Sequence, residues 1–133
     1  MTTTEFYRAV IRTSGGQSRE TVRRATAAVF HALRDRLTPE EADQAAAQLS
    51  RELKTVWKQG EKPGRRPLKM NRTEFCDRIR ADAGLGSTRN ARWMALAVFG
   101  ALKELLTPGE AEDVFAQLPK DLKELWAEAQ VEI

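Results

Sequence analysis

The chain repeats itself. Thr4 to Trp57 aligns with Thr73 to Trp126 at a constant offset of 69, without a gap. Of those 54 pairs, 22 are identical, among them Phe6/Phe75, Gly15/Gly84, Ser18/Ser87, Leu53/Leu122 and Trp57/Trp126, where chance gives only a few. A chain of 133 residues with that internal period folds as one unit or as two small repeats sharing a core. The expected fold is all-α: a tandem duplication of a roughly four-helix repeat packed into one helical bundle-like domain. Its expected parts are repeat 1 over residues 1–59, a basic Pro/Gly linker over 60–72, and repeat 2 over 73–133.

Helix is favoured throughout, because Ala, Leu, Glu, Lys and Arg abound while Val and Ile are scarce. Thr2-x-x-Glu5 and Asn71-x-x-Glu74 are capping-box patterns that start the first helix of each copy. Its expected buried face is Phe6, Ala9, Val10 and Thr13, matched by Phe75, Ile79, Asp82 and Ala83. Glycines at 15–16 and at 84 and 86 end it. Ser18 and Ser87 cap a long second helix, with Val22, Ala25, Val29, Leu33 and Leu37 at helical spacing in copy one.

The most faithfully repeated stretch runs from Ala28-Val29-Phe30 to Leu37-Thr38-Pro39 and from Ala97-Val98-Phe99 to Leu106-Thr107-Pro108. It reads as a helix end, a stop and a capped restart. In Thr38-Pro39-x-Glu41 and Thr107-Pro108-x-Glu110 the threonine accepts from the backbone, proline presets the first helical residue, and glutamate is expected to reach back. Pro119 predicts a break near Leu118, matched at Leu49-Ser50. A short fourth helix should then turn Leu53, Val56 and Trp57, or Leu122, Leu125 and Trp126, inward.

Charge is unevenly placed. Residues 1–59 carry 10 basic and 7 acidic side chains, residues 60–72 carry 5 and 1, and residues 73–133 carry 7 and 11, summing to the net +3. The linker cations Lys62, Arg65, Arg66, Lys69 and Arg72, with Lys58 just before them, are candidate nucleic-acid contacts. No secretory signal opens the chain and no apolar run is long enough to span a bilayer, so a cytoplasmic protein without membrane association is expected.

Candidates for chemistry are few. His31 is the only histidine, has Gly100 at its place in copy two, and is expected on a helix surface. Cys76, the single cysteine, stands beside the core position Phe75 and is expected to be buried rather than nucleophilic. Glu40-Glu41 and Glu110, Glu112 and Asp113 sit at helix N-termini, where the helix dipole favours negative charge and capping accounts for them. The expectation is no catalytic residue, no cofactor, no metal and no enzymatic activity. The copies differ more tellingly where Arg24, Ala27, Arg36, Ala45 and Ala46 become Trp93, Leu96, Leu105, Val114 and Phe115. That added apolar surface needs a cover, within the chain or from a protein partner or second copy.

The motif Ala-Val-Phe-x-Ala-Leu, followed by Leu-Thr-Pro-x-Glu-Ala and then by Ala-Gln-Leu-Pro-x-x-Leu over 116–122, resembles the bacterial domain of unknown function 2267 family over nearly the whole chain. The resemblance implies an all-helical fold and carries no assigned activity. Copy one departs from the pattern at Ser50, where the family favours proline. A weaker likeness, through Gly84-Leu85, Ser87, Ala91, Ala97-Val98-Phe99 and Ala101-Leu102, is to the two N-terminal helices of histone-like nucleoid proteins. No DNA-gripping arm follows here, so that likeness implies a way of packing helices. The expected function is a non-enzymatic protein–protein interaction or self-association module; the alternative is nucleic-acid binding through the basic linker and first half.

Overall fold

The computed structural model, which describes residues 1–131, contains eight helices and no strand among those residues, and seven of the eight start where the sequence supplies a side-chain cap. Helix α1 (Thr3–Thr13) begins at Thr2, whose hydroxyl accepts the Glu5 N–H at 3.1 Å while Glu5 accepts the Thr2 N–H. Helix α5 (Arg72–Ala83) begins in the same way at Asn71 and Glu74. Ser18 and Ser87 cap the long helices α2 (Arg19–Arg36) and α6 (Thr88–Leu105). Thr38-Pro39 and Thr107-Pro108 open α3 (Pro39–Ala46) and α7 (Pro108–Ala116). Ser50 caps α4 (Arg51–Lys58), whereas Pro119 precedes α8 (Lys120–Glu128) with no side-chain cap. Shifted by 69, the bounds of α1–α4 reproduce those of α5–α8 to within one residue.

The helices do not stay within their own half of the chain. α5 lies against α2 as well as against α6, and α1 lies chiefly against α6, so each half lends its first helix to the other's long helix. α2 and α6 also pack on each other, α3 packs on α7, and α4 and α8 sit back on α2 and α6. Two aromatic stacks fill the core. Phe30 meets Phe6 and Trp57 at ring-centroid distances of 5.7 and 5.4 Å, and Phe99 meets Phe75 and Trp126 at 5.8 and 5.1 Å. Each such ring, removed from water, contributes about 1.5–3 kcal/mol.

A basic residue of each long helix closes the end of the fourth helix of its half. Arg34 is almost wholly buried and donates to the carbonyls of Trp57 and Gln59 at 2.8 and 2.6 Å. Lys103, its counterpart, donates to Trp126 and Ala129 at 2.9 Å each. Cations at these positions satisfy carbonyls that no further helical turn reaches. Asp35 fastens the arrangement, accepting from Arg34 at 2.9 Å and from Arg78 of α5 at 2.7 Å.

Several sequence expectations change. Asp82 is exposed and paired with Arg78 rather than buried, while Cys76 is buried beside Phe75 as expected. His31 is not a surface residue: it is half-buried, with Nε2 2.7 Å from the Val56 carbonyl. A carbonyl only accepts, so Nε2 carries the proton, and burial lowers the imidazole's pKa. Gly100 occupies the same place in α6 because the chain beyond α8 crosses it there; a Cβ would stand 2.8 Å from the Gln130 carbonyl carbon.

Candidate functional site

The seam between α3 and α7 holds an arrangement that the capping pattern hides. Thr38 and Thr107 accept the N–H groups of Glu41 and Glu110 at 3.2 and 3.3 Å, as expected. The glutamates, however, do not reach back. The Thr38 N–H donates to Oε1 of Gln117 at 2.9 Å, and the Thr107 N–H donates to Oε1 of Gln48 at 2.8 Å. Each glutamine's Nε2 also donates to the same threonine's hydroxyl at 3.3 Å. Residue 48 plus 69 is 117, and 38 plus 69 is 107, so the two helices cap each other through equivalent residues.

Released from capping, Glu41 and Glu110 face one another. They are 9% and 7% exposed, and Oε2 of each is buried without a hydrogen-bond partner. Oxygens of Glu41, Glu110 and the exposed Asp113 lie within 4.8 Å of one another. Burial first, then the hydrogen bond and negative charge of Glu41, and then Asp113 raise the Glu110 carboxyl to about 8. Two like charges in a shared, poorly hydrated place cannot both form cheaply. Hard divalent cations take about six or more oxygens, and the neighbouring glutamine and threonine groups are already engaged with each other. A shared proton fits this set better than a cation, and the three carboxylates are not assigned as metal ligands.

A second feature is a pair of equivalent grooves. One, about 380 Å³, runs between α1 and α2 and is bordered by Thr3, Tyr7, Arg8, Arg19 and Arg23. The other, about 640 Å³, runs between α5 and α6 past Arg72, Cys76, Asp77, Arg89 and Arg92. In the first groove the Arg23 guanidinium stacks over Tyr7, 4.8 Å from the ring centre. In the second, burial raises the Cys76 thiol, and Arg92 pairs with Glu128 at 2.8 Å.

The five apolar candidates separate. Val114 is fully buried within the chain. Leu96, Leu105 and Phe115 are half-buried against the core, and Lys123 lies over the Phe115 ring at 5.3 Å. Trp93 alone of the five stands out, 53% exposed. Its counterpart Arg24 instead donates to the Ala83 carbonyl at the end of α5.

The linker candidates separate too. Arg65 is a structural strut, donating to the Leu37 and Arg34 carbonyls at 2.7 and 2.9 Å and to Glu61. The Leu68 N–H donates to the Asp35 carbonyl, and Met70 is buried, so the linker is docked along the end of α2. Arg72 sits half-buried in the first turn of α5, its N–H donating to Asp121. Lys58, Lys62, Arg66 and Lys69 remain exposed.

Residues 3–125 match the family model described as "Uncharacterized conserved protein (DUF2267)". The chain belongs to the DUF2267 family. No curated protein matches it. The DUF2267 motif residues Phe30, Leu37, Thr38, Pro39 and their counterparts build the core and the corners. Gln48 and Gln117 are the seam residues that sequence reasoning passed over, and Glu41 and Glu110 are the ones it assigned to capping. No helix of the described residues is long and apolar enough to cross a membrane.

Proposed function

We infer that this DUF2267 chain is a non-enzymatic protein-binding module of the cytoplasm, and that it binds an acidic, amphipathic segment of a partner protein. The observation that carries the reading is Trp93, a half-exposed indole on α6 beside the arginine-bordered α5/α6 groove. Arg89 lies one helical turn before Trp93, on the same face. An indole offers a large apolar surface, and guanidiniums pair with carboxylates in a fixed fork geometry. Leu96, half-buried one turn further on, extends the apolar stripe.

The test uses a synthetic amphipathic helical peptide with leucines at i, i+3, i+4 and i+7 and glutamates on the opposite face. Trp57 and Trp126 are buried, so quenching by an aqueous quencher reports on Trp93. Binding should protect that signal, and calorimetric titration, which needs no indole reporter, should show Trp93→Ala and Arg89→Glu each weakening binding at least tenfold. Unchanged affinity in both variants removes the reading. A sedimentation mass that rises with concentration and falls with Trp93→Ala would make a second copy the partner.

A second reading, nucleic-acid contact, rests on Lys58, Lys62, Arg66 and Lys69, four cations that the fold leaves exposed at the end of α4 and along the connector that follows it. It predicts affinity that falls steeply with salt and vanishes when Lys62 and Arg66 become glutamate. The halves are also read here as a tandem duplication of one four-helix unit. That origin is supported by the shared offset of the helix bounds and by the reciprocal Gln48–Thr107 and Gln117–Thr38 bonds.

A further inference from the structure

The Glu41–Glu110 pair has no part in the proposed binding face. Both carboxyls are more than nine-tenths buried, both present an unpartnered Oε2, and they occupy equivalent positions on the two helices that form the seam. Their usual task at the third position of a helix has been taken over by Gln48 and Gln117. Two acceptor-only carboxylates side by side repel, whereas one carboxyl and one carboxylate attract, because the O–H of the first donates to the second.

We propose that Glu41 and Glu110 hold a single proton between them at neutral pH, and that losing it opens the α3/α7 seam. In the closed state one carboxyl O–H donates to the other carboxylate. On opening, that proton passes to water and two negative charges remain across the seam. The charges that act on Glu110 are Glu41 on α3 and Asp113 on α7 itself, both acidic, and neither can replace the proton. Charges on the neighbouring helices are placed elsewhere. Lys123 of α8 lies over Phe115, Arg34 of α2 is held by carbonyls at the end of α4 and by Asp35, and Arg36 lines a separate hollow with Lys69, Glu74 and Pro119. On α4, Glu52 accepts from Thr3 of α1. The central packing of α1, α2, α5 and α6 does not pass through the pair, so the opening is local.

The direct test is a carbon-13 NMR titration of the full chain with labelled glutamate side chains. One glutamate signal should titrate near 8, far above the ordinary 4.5, and should vanish in Glu110→Gln or in Glu41→Gln. Hydrogen exchange, corrected for its intrinsic pH dependence, should show α3 and α7 amides losing protection tenfold or more between pH 7 and 9, with α2 and α6 unchanged. The glutamine variants, which mimic the protonated partner, should keep that protection. If every glutamate titrates below pH 5.5, or if exchange in α3 and α7 is the same in wild type and both variants, the proposal fails. It also fails if a chelator lowers protection at pH 7 and magnesium or manganese restores it, because a cation would then hold the pair.

Discussion

Replacing Gly100 with alanine tests whether the chain beyond α8 is a working part of the fold. The new Cβ would lie 2.8 Å from the Gln130 carbonyl carbon, 2.9 Å from its oxygen and 3.1 Å from the Val131 nitrogen. All three are backbone atoms, so no side chain can swing aside. Overpacking of this kind costs about 1–3 kcal/mol. Against it stands the helical preference of alanine over glycine, about 1 kcal/mol in favour of the variant. The substitution should therefore leave the full chain up to about 2 kcal/mol less stable. In a chain ending at Ala129 the clash is gone, and the same change should stabilise by about 1 kcal/mol. In that shorter chain the Ala129 carbonyl becomes a terminal carboxylate facing Lys103, a change common to both short proteins that cancels in the comparison. For a chain of this size 1 kcal/mol moves Tm by roughly 3–5 °C. Thermal and urea unfolding of the four proteins gives the coupling as a double-mutant cycle. A stabilisation of equal size in both lengths would show that the segment does not rest on α6, and the account of Gly100 would be wrong.

Other outcomes follow from the same contacts. Gln48→Ala and Gln117→Ala should each cost about 1 kcal/mol in urea unfolding, because each strips a helix cap of its cross-seam acceptor. Arg34→Ala should cost about 3 kcal/mol, since it removes a buried cation from two carbonyls and from Asp35, and Lys103→Ala should cost less because its ammonium is half-exposed. The two acidic features have opposite pH signs. Burial pushes Asp35 upward, but hydrogen bonds from Arg34 and Arg78 outweigh it and hold the carboxyl below its ordinary 3.8. Its contribution is present above pH 3.8 and is lost as pH falls through the folded-state value, and Asp35→Asn should flatten that acid limb of an unfolding series. Glu110 is raised instead, so its contribution is complete below pH 4.5 and is lost as pH climbs towards about 8. Glu110→Gln should accordingly gain stability relative to wild type as pH rises through that window.

Much of the fold was legible from spacing alone, because caps, glycine stops and proline restarts act over three or four residues. All eight helices fall where those signals place them. Periodicity also shows which side of a helix is buried, but not what buries it. The exchange of α1 and α5 between halves therefore left no trace in the sequence. The seam was missed for a different reason. Glu41 and Glu110 stand where a capping glutamate belongs, and a local pattern that is complete invites no further question. One signal was available: Thr38, Glu41 and Gln48 are polar and identical in both copies. At the seam these identities have a shared cause: Glu41 meets Glu110, and each glutamine reaches the threonine of the other half. His31 and Gly100 show the converse, a divergence explained only when the path of the chain past residue 129 is seen.

The exchange of first helices also bears on how the chain is made. Synthesis releases the whole of α2 by residue 36, yet α5, which covers it, begins only at Arg72. α1, the earliest helix to emerge, waits still longer, since its main support is α6 and that helix ends at Leu105. A nascent chain halted after residue 59 thus carries an α2 face with no lasting cover. Folding is set by contacts distant along the chain and comes late in translation. The two halves are not separable products. Expressed as fragments 1–59 and 60–133, they should each be open to proteolysis and become resistant only when mixed.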